Sequence, residues 1–474
     1  MIDALRLPGA PGWRLSRPAL LLGVLVAIGL IGIGAARSPV LTLAGAVGLL
    51  FVLAASRDLA AGVALLTVLL FVERIPGTPS TGLTVVKIAG GVLALFWIVR
   101  VLERDSPVPF LLTRHPLLGY ALVLFPGWAL ASMLWAESVA DARANAFRLA
   151  QGALLVLIVF SALGNRRQLI GVLWAFAAGA VLTALIGLGG ATAAEQVGPY
   201  SQTLRLAGGI GDPNELAAIL VPSLAITVGL LVTTRSPPVR LGLLTMLLVI
   251  ALGLFLTQSR GGLVALAATS VIAPLLAGPA RPRVLAVVLT IGALAIAYYT
   301  VVAPPEQLDR VTSFAAGGGT GRQDLWAISL EMFGDRPVLG VGAGNFVVVE
   351  PRYAIRDVDL QRVDLVVDTP RGAHNTYLHE LTELGVVGGA MFGVVLVGAL
   401  GIGVRAVRSF ARQGERELEL VGRSVIIGVI GMLAAFTFIS AAHREQLWLL
   451  LGVLAALDTV ARRTASEVSG ADST

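Results

Sequence analysis

The sequence predicts an all-α protein that crosses a membrane many times as a bundle of helices. Of its 474 residues, 56% are hydrophobic and only 14% are charged, and the mean hydropathy is +0.85. Soluble domains carry about 25% charged residues, so this chain lacks the polar surface that water on all sides would require. Its apolar residues form blocks of about 17 to 22, the length of a spanning helix. The alternating ten-residue strands of a membrane β-barrel are not evident.

The blocks predict about 12–14 transmembrane helices. The lower number allows for the second and third blocks forming fewer spans, because only Arg57 and Asp58 separate them and the third block is short. The first block runs on without a clear small-residue cleavage site, so we expect it to be an uncleaved signal. The blocks lie at 19–35, 39–55, 59–72, 83–101, 117–135, 145–162, 169–190, 214–233, 241–256, 262–278, 284–302, 377–404, 424–441 and 445–460.

Arginines are unequally distributed between the segments that join these blocks. If the N-terminus is cytoplasmic, the inside segments hold 20 arginines and the short outside segments hold 6. This asymmetry follows the positive-inside rule and places both termini in the cytoplasm. The six on the outside are Arg37, Arg74, Arg143, Arg205, Arg260 and Arg444.

One connection, residues 303–376, is far longer than the others and is predicted on the outer side. Loops beyond about 15 residues are usually functional. Within it, Thr320–Phe333 is predicted as a short helix that Pro337 ends, and a glycine-rich turn follows. The predicted organisation is therefore transmembrane helices 1–11 in 1–302, a partly helical outer loop in 303–376, further spans in 377–460 and a tail in 461–474.

Two outer-side arginines lie next to predicted spans. Arg205 precedes a span whose start is capped by Asp212 or Asn214. Arg260 occupies a short break between two apolar blocks, where it must pair with an anion, snorkel or face water. Helix capping and a lipid headgroup would explain the first, and a snorkelling side chain would explain the second. Binding of an anionic ligand would explain both, because arginine holds phosphate bidentately.

A histidine closes the outer loop. His374 and Asn375 stand where the chain returns to the twelfth span, and imidazole suits proton transfer near neutral pH. A structural polar role is the alternative. His379 is five residues on, about 140° round a helix, and need not share its face. Glu380 and Glu383 are rival bases if burial raises their pKa.

Other chemistries find little support in the residues. The chain has no cysteine, so a thiolate metal site and a disulfide framework are excluded. Asp357 and Asp359 form a DxD, but the loop is too short for a nucleotide-binding domain. The glycines from Gly340 to Gly344 lack the βαβ unit of a dinucleotide site. We therefore expect no metal, no cofactor and no nucleic-acid partner.

Four segments resemble the O-antigen ligase and O-antigen polymerase superfamily. They are RLAGGIGDPNELA, LTQSRGGLVAL, TGRQDLWAISLEMFGDRPVLGVGAGNF and HNTYLHELTELGVVGG. Each is moderately specific, whereas their order and spacing across a long outer loop are highly specific. Ligases of this family often have twelve spans, and about fourteen are counted here.

The resemblance implies a metal-independent, inverting glycosyltransferase in a bacterial inner membrane, with its site facing the periplasm. The donor would be an undecaprenyl-diphosphate-linked glycan, and the acceptor would be lipid A–core or a growing glycan. By analogy Arg205, Arg260 and, more weakly, Arg322 would bind the diphosphate, and His374 would activate the acceptor hydroxyl. The supporting residues would be Asn214, Asn375 and Glu383.

Two alternatives remain open at this stage. A repeat-unit polymerase of the same superfamily would carry the same motifs. A solute transporter, resembling relatives described in bicarbonate transport, would be a different class. Transporters are expected to show inverted repeats and ionisable residues in mid-membrane, and Lys87 is the main such residue noted here.

The arginine asymmetry gives a test of topology. A reporter that is active only in the cytoplasm should give no signal when it is fused after Gly319, because 303–376 is predicted on the outer side. The same reporter fused after Arg463 is the matched control and should be active. A strong signal from the Gly319 fusion would overturn the orientation.

Overall fold

The computed structural model describes residues 39–73, 85–102, 111–190, 192–198, 201–312, 321–356 and 372–471. Over these residues the protein is a helix bundle, which confirms the predicted all-α class. The helices are α1 (Pro39–Arg57), α2 (Leu59–Leu69), α3 (Val85–Leu102), α4 (Leu111–Arg114), α5 (Pro116–Ala131), α6 (Val139–Ala162), α7 (Arg166–Leu188), α8 (Pro213–Thr233), α9 (Pro237–Leu256), α10 (Arg260–Leu276), α11 (Arg281–Ala297), α12 (Pro305–Thr312), α13 (Arg322–Asp335), α14 (Phe346–Ala354), α15 (Thr376–Gln413), α16 (Arg416–Ala435) and α17 (Glu445–Ala471).

Nine helical segments among the described residues are long and apolar enough to cross a membrane, and α1, α2 and α10 are shorter apolar helices. Each predicted span from 39–55 onward overlaps a described helix, whereas the first, 19–35, lies outside the described residues. The helix predicted at Thr320–Phe333 is α13. The polytopic architecture is thus confirmed, and α17 continues as helix to Ala471.

A short antiparallel hairpin between α7 and α8 was not predicted. Its strands are β1 (Thr192–Gly198) and β2 (Ser201–Leu206), with Thr192 opposite Leu206. Strands of six or seven residues between two strong apolar blocks carry too little alternation to be recognised in the sequence. The hairpin matters for the site because β2 contains Arg205.

The centre of the bundle is formed by α8 and α16. The most apolar windows of these two helices are 78% buried, against 17% for those of α3 and of Gly278–Val302 at the periphery. Small residues allow the close approach. A Cβ added to Gly428 would press on Pro222 of α8, and one added to Gly431 would collide with Val221 of α8 and Thr269 of α10. Membrane helices commonly pack through such small residues.

Polar contacts join segments that were predicted on the same side of the membrane. At the predicted inner end Arg166 pairs with Glu417, and His115 pairs with Asp458 at 3.3 Å. At the other end Arg352 pairs with Glu137 at 2.5 Å, and Arg444 pairs with Glu73 at 2.7 Å. The segments predicted as inside and outside therefore gather at opposite ends of the bundle.

Helix α15 is broken at Gly385, where the outer loop docks against it. Gly385 has φ 66° and ψ −173°, a region that is essentially closed to other residues. The loop amides of Val341 and Gly342 donate to the carbonyls of Thr382 and Glu383 at 3.0 and 2.8 Å. The Trp128 indole donates to the next carbonyl, at Leu384, at 3.0 Å, and the amide of Val386 donates to Pro337 O at 2.8 Å. These bonds satisfy backbone groups that a break would otherwise leave exposed in a membrane.

The docked loop has a small apolar core of its own. Its buried members are Leu325, Ile328, Met332, Val341, Phe346, Tyr353, Ala354 and Ala373. Glu350 of α14 is also fully buried, and among the described residues neither of its carboxylate oxygens has a hydrogen-bond partner. Burial raises the pKa of the Glu350 carboxyl to about 7. A lone buried charge is costly, so the neutral acid is the form that this packing favours.

Substitution of Gly385 by Ala should undock the loop. The added Cβ would collide with the carbonyl oxygen of Val338, and the backbone conformation costs a non-glycine residue about 1–3 kcal/mol. We expect faster tryptic cleavage within 303–376 and loss of activity. Gly393→Ala is the matched control, since it lies in the same helix and its Cβ meets nothing within 4 Å. Equal cleavage rates for the two variants would contradict the proposed role of the break.

Docking of α14 should weaken as the pH rises. The pKa of Glu350 is raised from 4.5 in the reference state to about 7, so docking is most stable below pH 4.5 and loses stability as the pH rises through 7. The opening equilibrium should change about tenfold for each pH unit between these values. Hydrogen exchange of the 346–354 amides, corrected for intrinsic rates, measures it. Glu350→Gln should abolish the dependence, and an unchanged dependence would assign it to another group.

Candidate functional site

A polar cavity of about 330 Å³ lies at the predicted outer end of the bundle. It forms where the outer half of α6 and the first turns of α8 and α15 meet the turn 436–444 between α16 and α17 and the loop segment 344–347. A concave site with convergent polar groups is the default location for chemistry, and ionisable residues in a membrane protein mark function. Its ionisable and amide lining includes Arg148, Asn214, His374, His379, Glu380 and Glu383.

His374 is held in the cavity wall by the start of α15. Its φ of 47° is unusual for a residue other than glycine, and such conformations concentrate at functional sites. Asn375 caps the helix, since its Oδ1 accepts from the amides of Tyr377 and Leu378 at 3.0 and 3.2 Å. The cap fixes where the helix begins and therefore how the half-buried His374 meets the cavity.

Arg205 and Asn214 are brought together beside this cavity with the turn that precedes Arg260. Arg205 is buried, and it donates through Nε to Thr257 O at 2.8 Å and through Nη2 to Asn214 Oδ1 at 2.9 Å. Ser259 Oγ donates to the same Asn214 oxygen at 2.9 Å. The next residue, Arg260, begins α10. Asn214 lines the cavity, so the Arg205 charge lies one side chain behind the cavity wall.

The cap of α8 is Asp212 and not Asn214. Asp212 Oδ1 accepts from the amides of Asn214 and Glu215 at 2.8 and 2.9 Å. This leaves the Asn214 side chain to serve Arg205 and Ser259. The sequence allowed either residue as the cap, and the structure assigns the cap to the aspartate.

Glu383 joins the outer loop to the helices. Its carboxylate accepts from the amides of Gly344 and Phe346 at 2.6 and 3.0 Å and from Asn145 Nδ2 at 3.3 Å. It also pairs with His379 Nε2 at 3.3 Å. These four contacts occupy both oxygens, so taking up a proton would disturb the loop. Glu380 is also buried and also lines the cavity.

Sequence reasoning missed Arg148 and gave no role to His443, although both line the cavity. Helix α6 begins at Val139, earlier than the predicted 145, and this brings Arg148 into its outer half. Burial lowers the pKa of His443 to about 3, and the nearby positive charges of Arg444 and Arg148 add to the effect. His443 is therefore a neutral imidazole near neutral pH. The charged residues before the apolar run could have indicated the earlier helix start.

Arg444 compensates the acidic side of the cavity. It pairs with Glu215, which lines the cavity, and with Glu73 at 2.7 Å. Arg444 and Glu215 are poorly exposed, whereas Glu73 is about a third exposed, so removal of the arginine would above all leave the Glu215 carboxylate without its compensating charge. The sequence placed Arg444 on the outer side but did not indicate its partners.

The remaining predicted site residues lie apart from this cavity or outside the described chain. Arg322 is the first residue of α13, and the cavity wall formed by the described residues does not include it. Asp357 and Asp359, the DxD pair, lie outside the described residues. Among the residues that are described, no group of three histidines or carboxylates is placed to hold a metal ion.

Comparisons with known proteins bear on this region. Residues 241–393 match the family model described as O-Antigen ligase. No curated protein matches the chain. A solved structure described as "Structural coordination of polymerization and crosslinking by a peptidoglycan synthase complex" is similar at a TM-score of 0.38 and 17% identity, over 72% of this chain and 97% of that one. That likeness is too weak to support an argument.

The matched segment contains one part of the site, whereas Arg205, Asn214 and the turn 436–444 lie outside it. It runs from α9 into α15 and includes Arg260, the outer loop, His374 and the break at Gly385. This match to the O-antigen ligase family over residues 241–393 supports the resemblance that the sequence motifs indicated.

Proposed function

We propose that the protein is a ligase-type glycosyltransferase, which moves a glycan from undecaprenyl diphosphate to a sugar hydroxyl of an acceptor such as lipid A–core. The site would face the periplasm from a bacterial inner membrane. The supporting observation is the polar cavity that His374 lines, beside the bonded pair of Arg205 and Asn214 and the turn that leads to Arg260. The family match supports a membrane glycosyltransferase of ligase or polymerase type.

The arginine cluster would hold the donor diphosphate. Arg260 is the first residue of α10, where the helix dipole and the guanidinium both favour an anion. Arg205 holds the turn before Arg260 through its hydrogen bond to Thr257 O. Its guanidinium also adds positive potential from behind the cavity wall. Arg322, at the start of α13, is proposed as a third cation on the same side. Together they would stabilise the charge that develops on the leaving diphosphate.

His374 would act as the general base. The acceptor hydroxyl loses its proton to the imidazole as its oxygen forms a bond to the anomeric carbon. The bond from that carbon to the diphosphate oxygen breaks, and the lipid diphosphate leaves with the electron pair. Displacement from the opposite face inverts the anomeric configuration. Glu383 is a weaker candidate for the base, because loop amides occupy its oxygens.

The experiment that tests this function is transfer by purified protein, with lipid-diphosphate-linked glycan as donor and lipid A–core as acceptor. His374→Ala should lower kcat by about 10² to 10⁴-fold, the usual contribution of a general base, with donor KM little changed. Arg260→Ala in the same assay should instead raise the donor KM, because it removes a phosphate contact.

Matched controls separate these roles from general damage. His115→Ala removes a histidine at the opposite end of the bundle and should leave kcat near wild type. Glu380→Gln removes the rival base. If His374→Ala keeps the wild-type rate while Glu380→Gln is inactive, the base is the glutamate. If wild type elongates free lipid-linked glycan and does not modify lipid A–core, the protein is a polymerase.

A further inference from the structure

Two buried polar atoms in the cavity wall have no hydrogen-bond partner among the described residues. They are His379 Nδ1 and Ser440 Oγ. His379 is on the first turn of α15, and Ser440 is on the turn between α16 and α17. Buried polar groups are nearly always satisfied, and leaving one without a partner costs about 1–3 kcal/mol. Two such atoms in the wall of one cavity indicate a place where a bound group completes the hydrogen bonds.

Both atoms lie around one point, in front of Gly372. A Cβ built on Gly372 would be 3.6 Å from His379 Nδ1 and 3.5 Å from Ser440 Oγ, with His379 Cε1 at 3.4 Å. A carbon there would be in ordinary contact, so the point has room for one non-hydrogen atom. A ligand oxygen placed slightly closer to His379 Nδ1 and Ser440 Oγ than this carbon would be at hydrogen-bond distance from both. Glycine at 372 keeps this point open, and all three residues line the cavity.

The ring of His379 is held so that Nδ1 is the nitrogen left for a ligand. Its Nε2 lies 3.3 Å from Glu383 Oε1, and the ring of Phe346 packs against it with centroids 5.2 Å apart. When Nε2–H donates to a carboxylate, Nδ1 accepts if the imidazole is neutral and donates if it is protonated. Ser440 Oγ can donate or accept. A ligand hydroxyl matches this pair in either state, because it can donate to one of the two atoms and accept from the other.

We propose that His379 Nδ1 and Ser440 Oγ form a hydroxyl-binding subsite, opposite Gly372, which holds a second sugar hydroxyl of the acceptor beside the one that reacts at His374. This rests on the proposed glycan transfer and adds to it a determinant of acceptor recognition. His379 and Ser440 are positioning residues in this arrangement. They orient the acceptor, and the proton is taken elsewhere.

Gly372→Ala is the sharpest test. Its methyl group fits without a clash but covers both polar atoms. The acceptor KM should rise about tenfold, the usual effect of losing such hydrogen bonds, while kcat and donor KM stay within about threefold of wild type. Ser440→Ala should act in the same way from the other side. Gly334→Ala, in the outer loop with nothing within 4 Å of its Cβ, is the matched control and should change neither constant.

The double variant separates a shared subsite from two unrelated defects. If both substitutions remove one hydroxyl contact, Ser440→Ala should cost little further once Gly372→Ala is present. Full additivity of the two effects on acceptor KM would overturn the proposal. So would an unchanged acceptor KM in both single variants, or a rise in donor KM alone.

A binding measurement distinguishes failure of the subsite from failure of the proposed function. Core oligosaccharide, released from lipopolysaccharide by mild acid, is titrated into donor-free protein. Weaker binding to Gly372→Ala than to wild type and Gly334→Ala supports the subsite even if no donor is transferred. Equal binding to all three proteins would overturn it, even if glycan transfer is confirmed.

Discussion

The contact that most of the site depends on is the backbone crossing at Gly385. A helix that breaks inside a membrane leaves carbonyls and amides without partners, and such a break persists only where protein satisfies them. Here loop amides and the Trp128 indole donate hydrogen bonds to the carbonyls of Thr382, Glu383 and Leu384. The loop therefore completes the helix, and the helix positions the loop. The first turns of α15, which carry His379, Glu380 and Glu383, are held at the cavity as a consequence.

Electrostatic compensation is the second constraint. The cavity wall contains several carboxylates, yet most are already engaged. Glu215 pairs with Arg444, Asp212 caps α8, and Glu383 accepts from two loop amides. Burial keeps the pKa of His443 at about 3, so it adds no charge at neutral pH. A wall that is polar but whose carboxylates are largely engaged suits sugar hydroxyls.

For the outer loop, the sequence predicts the local elements, and the tertiary structure shows how they dock. Helix α13 and the glycine-rich turn were predictable, because a helical run ends at a proline and several glycines follow. The docking of this loop against α15 was not predictable. Gly340 and Gly385 read as ordinary loop and helix glycines, and their positive φ values become meaningful only when the two backbones are seen to cross. Glu383 was weighed as a base, but its hydrogen bonds to loop amides give it a structural task.

The sequence by itself determined the membrane helices, their approximate limits, the unequal distribution of arginines and the segments that carry His374, Arg205 and Arg260. These features are local, because spanning length, hydropathy and charge are properties of consecutive residues. Only the tertiary structure decided that Arg205 is buried against Thr257 and Asn214, that the unpredicted hairpin carries it there, and that Arg148, Ser440 and His443 join the cavity. The Arg205 contacts join different elements, and the cavity wall gathers residues from Asn145 to His443. Their partners are set by how the helices pack, which no local pattern records.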